Sequence, residues 1–329
     1  MNKISRRGFV SQVGAGLFAT SFGSAFAQQP WKAEKPIRLI VPYSAGGPTD
    51  IVARVLSQQI GMKLGQPIVV ENRPGASGSI GAQAVYTAHP DGHTILIGAT
   101  DTNCIYPHVY SKPIFKTEEF VAFSPVGVIP HVMMARPDFE VNNAKDVAAL
   151  AKKKQLTYAS WGAGSAGQLA TVLFMRAMKL PPESMLHVPY SGAAPAAQAV
   201  MAGQVDLIFA PVPMVISQGS KLKPIALIHP KRVEAVPSIP TLAEQGVTVK
   251  MDGEFWMGML APPKTPEPIV SVLAARFNEA MASPEVKARL VALGVVPEPP
   301  VTPKEYAAFY ANEIARWGKV IRDANIKLD

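Results

Sequence analysis

The feature that most constrains this chain is a recurring transition from an apolar run, through a glycine-rich turn, into a helix. Between Pro36 and Asp50 the sequence reads PIRLIVPYSAGGPTD: Ile37, Leu39, Ile40 and Val41 have the character of a buried strand, Pro42 breaks it, and Pro48 opens a helix after Gly46 and Gly47. Ile51, Val52, Val55, Leu56 and Ile60 then share one helical face, and Gly61 and Gly65 are available to end it. Residues 67–71 form a second predicted strand, followed by the glycine-rich turn Asn72-Arg73-Pro74-Gly75-Ala76-Ser77-Gly78-Ser79-Ile80-Gly81 and a helix running to about residue 88. A third strand, 94–98, ends in Ala99-Thr100-Asp101-Thr102. Successive units of this kind predict an α/β fold with a parallel sheet covered by helices, and ligands in such folds sit at the carboxyl ends of the strands. The turns at 43–47, 75–78 and 100–102 would share that edge. Helix N-termini beside glycines leave backbone N–H groups free for an anion.

The chain has 329 residues, too many for one ordinary core and suited to two domains. The apolar run 123–136 reads as one long strand crossing into the second domain, which repeats the plan: helix 144–153, strand 156–160, glycine turn 161–167, helix 168–178, strand 186–188, turn 190–192, helix 194–201, strand 205–209 and strand 224–228. Residues 253–261 return the chain to the first domain, and helices near 267–281, 284–293 and 303–324 complete it. The two crossings predict a two-strand hinge, with domain 1 at 28–127 and 255–329 and domain 2 at 128–254.

Residues 1–27 are set apart. Lys3, Arg6 and Arg7 precede the apolar stretch 8–26, and Ala25-Phe26-Ala27 is a small-x-small cleavage site, so an exported chain cut after Ala27 is expected. Ser5-Arg6-Arg7-Gly8-Phe9 has the twin-arginine form, although an ordinary secretory signal also accommodates it. Loss of three cations reduces the formal charge from +8 to 8 − 3 = +5. The remaining cations are dispersed apart from Lys152-Lys153-Lys154 at a predicted helix end, so no nucleic-acid surface is indicated. Cys104, the sole cysteine, forms no disulfide and reads as a core residue.

Catalytic patterns were weighed against spacing. Gly162-Ala163-Gly164-Ser165-Ala166-Gly167 matches G-x-G-x-x-G between a strand and a helix, which makes an exported nicotinamide-dependent oxidoreductase the rival reading. The acid that should hold a ribose after the next strand is missing, since that strand ends at Pro189-Tyr190-Ser191. Ser77, Ser79 and Ser165 lack the glycines of a nucleophile elbow, and His89 and His93 span a turn rather than a helix. The sequence therefore predicts no catalytic residues, no metal and no cofactor. What remains is a set of Gly, Ser, Thr and Tyr turns. Four charge-assisted contacts of roughly 1.5–3 kcal/mol each, less ordering costs, reach ~8 kcal/mol, or about micromolar affinity for a carboxylate.

The turn at 37–50, the block Val69 to Gly81, Pro90-Asp91-Gly92-His93-Thr94, His187-Val188-Pro189-Tyr190-Ser191-Gly192, Gly203-Gln204-Val205-Asp206 and Ser283-Pro284-Glu285-Val286 resemble the Bug-type substrate-binding proteins of tripartite tricarboxylate transporters. The resemblance covers nearly the whole chain after residue 27. It implies a type II-like periplasmic-binding-protein fold of two closing domains, a small organic acid as ligand and a membrane permease as partner. It also implies that the acid is held by main-chain groups and waters at 43–47, 160–167 and 190–192. The candidate ligand residues are Tyr43, Ala45, Gly46, Gly47, Ser77, Thr100, Asp101, Ser160, Trp161, Gly164, Ser165, Tyr190 and Gly192, with Phe209 and Pro211 as an opposite wall. Tyr43 and Tyr190 also fit a packing role, and Gly46, Gly47 and Gly192 a purely conformational one. Asp50 reads as a cap that orders its turn, and Asp206 as structural. Trp161 stands where the family has a small polar residue and Gln168 where it has His. An indole at the pocket mouth favours an aromatic carboxylate, unless Trp161 packs outward.

Overall fold

The computed structural model describes residues 31–249, 255–323 and 326–327; the export segment and residues 253–254 of the predicted return strand lie outside them. The chain begins with Ile37–Val41 (β1), Pro48–Leu64 (α1), Ile68–Asn72 (β2), Ser79–Tyr86 (α2), Thr94–Ala99 (β3), the short helix Tyr106–Val109 (α3) and Val121–Val128 (β4). It continues through His131–Ala135 (β5), Ala144–Lys153 (α4), Leu156–Ser160 (β6), Ala166–Ala177 (α5), Met185–Pro189 (β7), Ala193–Met201 (α6), Leu207–Pro211 (β8), Val212–Gln218 (α7) and Lys223–Ile228 (β9). Trp256–Ala261 (β10), Glu267–Ala282 (α8), Pro284–Ala292 (α9), Val296–Pro297 (β11) and Pro303–Asp323 (α10) follow.

Two mixed sheets result, ordered β11-β4-β10-β3-β1-β2 and β7-β6-β8-β5-β9. The first is parallel only across β2, β1 and β3; β10 runs antiparallel to both β3 and β4. The wholly parallel expectation fails there because β10 enters from the other lobe rather than through a helical crossover. The run 123–136 is likewise not one strand. It breaks at Ile129-Pro130, with β4 in the first sheet and β5 in the second. Proline lacks an N–H and fixes φ, so the ladder cannot pass through it. Both crossings lie side by side, since Ile129 N donates to Phe255 O at 2.6 Å.

Both sheets are covered on two faces, which is why β1 is an almost unbroken apolar run. Ile37, Leu39 and Val41 pack with Val52, Leu56 and Ile60 of α1 and Leu273 and Phe277 of α8. Ile40 on the opposite face joins a cluster with Ala82, Val85, Tyr310 and Trp317. In the second sheet Val132 and Met134 meet α6, whereas Met133 and Ala135 meet Val147, Leu169 and Phe174 of α4 and α5. Each fully buried Leu, Ile or Phe contributes roughly 1.5–3 kcal/mol. Cys104 is wholly buried, and Asp206 is engaged with Thr157 and Arg136 at a strand start.

Candidate functional site

The carboxyl ends of β1 and β3 and the turn after β2 are tied into one unit by side chains. Asp50, in the first turn of α1, accepts from Gly46 N and Arg54 Nε at 2.9 Å through Oδ2 and from Asn72 Nδ2 at 3.0 Å through Oδ1. Asn72 also donates to Tyr43 O at 3.0 Å, so one side chain joins the end of β2 to the 43–47 turn. Burial would raise the Asp50 pKa, but the bonds from Arg54, Gly46 and Asn72 outweigh it and hold the carboxyl below its usual range. Thr102 Oγ1 donates to Ser77 O at 3.2 Å and accepts from the Tyr43 hydroxyl at 2.9 Å, linking three turns. Burial, reinforced by the Asp101 charge, pushes the Tyr43 phenol well above its ordinary value.

Ser77 has φ +53°, in the left-handed region that non-glycine residues avoid. That conformation carries its hydroxyl to Ala163 O at 2.5 Å, across to the second lobe. A second bridge is stronger in character. Asp101 Oδ2 accepts from Trp161 Nε1 at 2.7 Å and from Ala166 N, the first residue of α5, at 3.1 Å. A carboxylate from the first lobe thus occupies the N-terminus of a second-lobe helix. Asp101 is 6% exposed, and burial raises its pKa despite those donors.

The indole of Trp161 points inward and stacks on His131, ring centroids 5.6 Å apart at 25°. His131 Nδ1 bonds Ile129 O at 2.8 Å, and burial depresses the imidazole to about 3, so it is neutral near physiological pH. Gly167 permits this packing: a Cβ there would lie 2.7 Å from the indole and 3.0 Å from Phe209 O. Gly167→Ala is expected to displace Trp161, weaken the Asp101 bridge and red-shift tryptophan emission; an unchanged spectrum and melting midpoint would contradict this packing. Gln168 Oε1 accepts from Gly164 N at 2.7 Å, and Ser160 Oγ bonds Gly162 O at 2.8 Å and His187 Nε2 at 2.7 Å.

The last contributor is the start of α6. Gly192 caps it without a side-chain bond, and Ala193 and Ala194 of its first turn line the cavity. Ser44 lies opposite, since a Cβ on Gly192 would be 3.5 Å from its Oγ.

These elements enclose a cavity of about 290 Å³, near the lower end of the roughly 300–1,000 Å³ of small-molecule sites. Of the residues picked from sequence, Tyr43, Ala45, Gly47, Ser77, Asp101, Trp161, Tyr190, Gly192 and Pro211 line it. Gly46 sits behind the turn with its N–H held by Asp50. Thr100 Oγ1 accepts from Trp256 N, while Ser160 and Gly164 make the internal bonds above. Ser165 is wholly buried as the N-cap of α5, and Phe209 packs against Phe174 beneath the floor. Ser44 and Ser191, inside the expected turns 43–47 and 190–192, also line the cavity; sequence reasoning did not select Tyr110, His131, Phe255 or Trp256, which line it too. His131, Phe255 and Trp256 belong to the crossing segments, whose apolar runs signalled strands; Tyr110 follows α3, a helix too short to announce itself. No lysine or arginine is among the described lining residues. Among the described residues no group of three or more His, Cys, Asp or Glu is arranged to hold a metal, and His93 packs edge-on against Trp31 with its N–H on Asp91.

The family model described as "Tripartite tricarboxylate transporter family receptor" matches residues 52–326. Protein BugT of Bordetella pertussis is 31% identical over 304 residues, covering 89% of this chain and 90% of its own. The structure of the periplasmic binding protein BugD superposes with a TM-score of 0.82 at 32% identity, covering 90% of this chain and 99% of that one. MatC from Rhodopseudomonas palustris with bound malate gives 0.79 at 32% identity, over 88% and 99% of the two chains.

Proposed function

The chain belongs to the tripartite tricarboxylate transporter receptor family, and we propose that it captures a small carboxylic acid between its two lobes and delivers it to the membrane permease of such a transporter. Its role is that of a periplasmic solute-binding receptor. The observation that carries the carboxylate reading is the pair of helix N-termini, of α1 and α6, presented to one small cavity with no lysine or arginine among its described lining residues. Uncapped N–H groups and two helix dipoles supply the attraction instead, each dipole worth up to ~2 kcal/mol when partly buried. The malate bound to MatC is consistent in chemical class.

This reading includes export with cleavage after Ala27, a hinge at the paired crossings, and domains at 28–127 with 255–329 and at 128–254. The ligand is held by main-chain groups at 43–47 and 190–194, with Ser77, Trp161 and Tyr190 closing around its body. The nicotinamide alternative has less support, since Asp101 and Gln168 already engage the donors that a pyrophosphate would need at the Gly162–Gly167 turn. In a thermal-shift panel of mono-, di- and tricarboxylates with NAD(P) alongside, at least one acid is expected to raise the midpoint saturably, as binding linkage requires. A shift by NAD(P) at micromolar concentration and by no acid would reverse the assignment.

A further inference from the structure

We infer that Asp101 is a specificity-determining residue, selecting a ligand with one carboxylate and an uncharged, ring-bearing body and disfavouring acids with a second carboxylate. The inference rests on the carboxylate-receptor reading above and narrows its substrate class.

The N-termini of α1 and α6 line this cavity, and that of α5 lies behind Asp101; each attracts negative charge. That of α5 is taken by the protein itself: Asp101 Oδ2 receives both the Ala166 N–H and the Trp161 indole N–H. Asp101 also lines the cavity, so its carboxyl group adjoins whatever enters. The free termini of α1 and α6 remain for one ligand carboxylate.

A second ligand carboxylate would then meet three obstacles. Among the described residues no lysine or arginine lines the cavity to neutralise it. A sphere of about 290 Å³ is only about 8 Å across, comparable with the ~8 Å screening length of physiological salt, so it cannot escape the field of Asp101. Burial already raises the Asp101 pKa, and a further anion nearby must add to that cost, as repulsion or as proton uptake. Among the other lining residues, Tyr43, Tyr110, Trp161, Tyr190, Phe255 and Trp256 offer aromatic surfaces that suit an apolar ring.

The test compares 4-methylbenzoate with terephthalate, which differ at the para position in a methyl against a carboxylate, by calorimetric titration of the purified protein. The wild type is expected to bind 4-methylbenzoate at least tenfold more tightly. Asp101→Asn, whose amide oxygen can still accept from Trp161 and Ala166, is expected to shrink that ratio at least fivefold, chiefly by tightening terephthalate. Equal or tighter binding of terephthalate by the wild type overturns the inference, as does an unchanged ratio in Asp101→Asn. If neither probe binds but an aliphatic dicarboxylate does, this inference falls while the receptor reading stands; binding of no carboxylate at all removes both.

Discussion

Asp50→Ala is expected to lower the unfolding midpoint by roughly 3–4 °C and to weaken ligand binding at least tenfold. The side chain is buried and holds Gly46 N, Arg54 and Asn72 at once. Removing it loses three bonds from donors that are themselves exposed or half-buried, a cost of about 2 kcal/mol, which in a chain of this size moves the midpoint by about 1.5–2 °C per kcal/mol. Affinity falls for a separate reason. The 43–47 turn must be ordered before its N–H groups can converge on a carboxylate, and without Asp50 that ordering is taken from the binding free energy. Thermal denaturation and calorimetry separate the effects. An Asp50→Ala protein that melts normally and binds normally would show that the turn is fixed by its glycines alone. The pH dependence has a definite sign. The folded pKa of Asp50 is depressed, so its contribution is present above the unfolded value and disappears as pH falls through the folded one. Asp50→Ala should therefore lose less stability on acidification below about pH 4 than the wild type.

Trp161→Ser is expected to weaken aromatic acids by roughly tenfold or more while aliphatic acids of similar length change by less than about threefold. Ring–ring contacts add about 0.5–1.5 kcal/mol beyond area burial, and the indole presents a face to the cavity while stacking on His131 behind it. Serine also removes the Nε1 donor to Asp101. The comparison with Trp161→Phe divides these contributions: loss of aromatic binding in the serine variant alone assigns the effect to the ring, whereas equal loss in both assigns it to the Asp101 bond. Equal weakening of aromatic and aliphatic acids by serine would remove the ring from the account of specificity.

The strand–turn–helix order was legible because each element is announced locally. Ile37 to Val41 and the glycines after them need no knowledge of the rest of the chain, and the buried faces of α1 follow from spacing. Sheet direction was less legible: β10 is antiparallel because of where the chain returns from, information that no local window contains. Ile129-Pro130 did carry a signal, since a proline inside an apparent strand marks a break. At the site, Asp101 and Trp161 were both visible as turn residues. That they bond to each other across the lobes was not visible, because the two positions meet only after both sheets have formed. The strained Ser77 belongs to the same class, its hydroxyl meeting Ala163 on the opposite lobe.

The bonds from Asp101 to Trp161 and Ala166 and from Ser77 to Ala163 span the cleft, so they also bear on time. We propose that a solute enters while they are parted and leaves when they part again. Association should therefore saturate with solute concentration at the rate of cleft opening, a collective motion on the microsecond-to-millisecond scale. Dissociation should be governed by how often all three bonds are broken together. Asp101 and Ser77 thus set the lifetime of the complex, independently of which acid the cavity prefers, and stopped-flow traces that remain linear in concentration would remove them from that role.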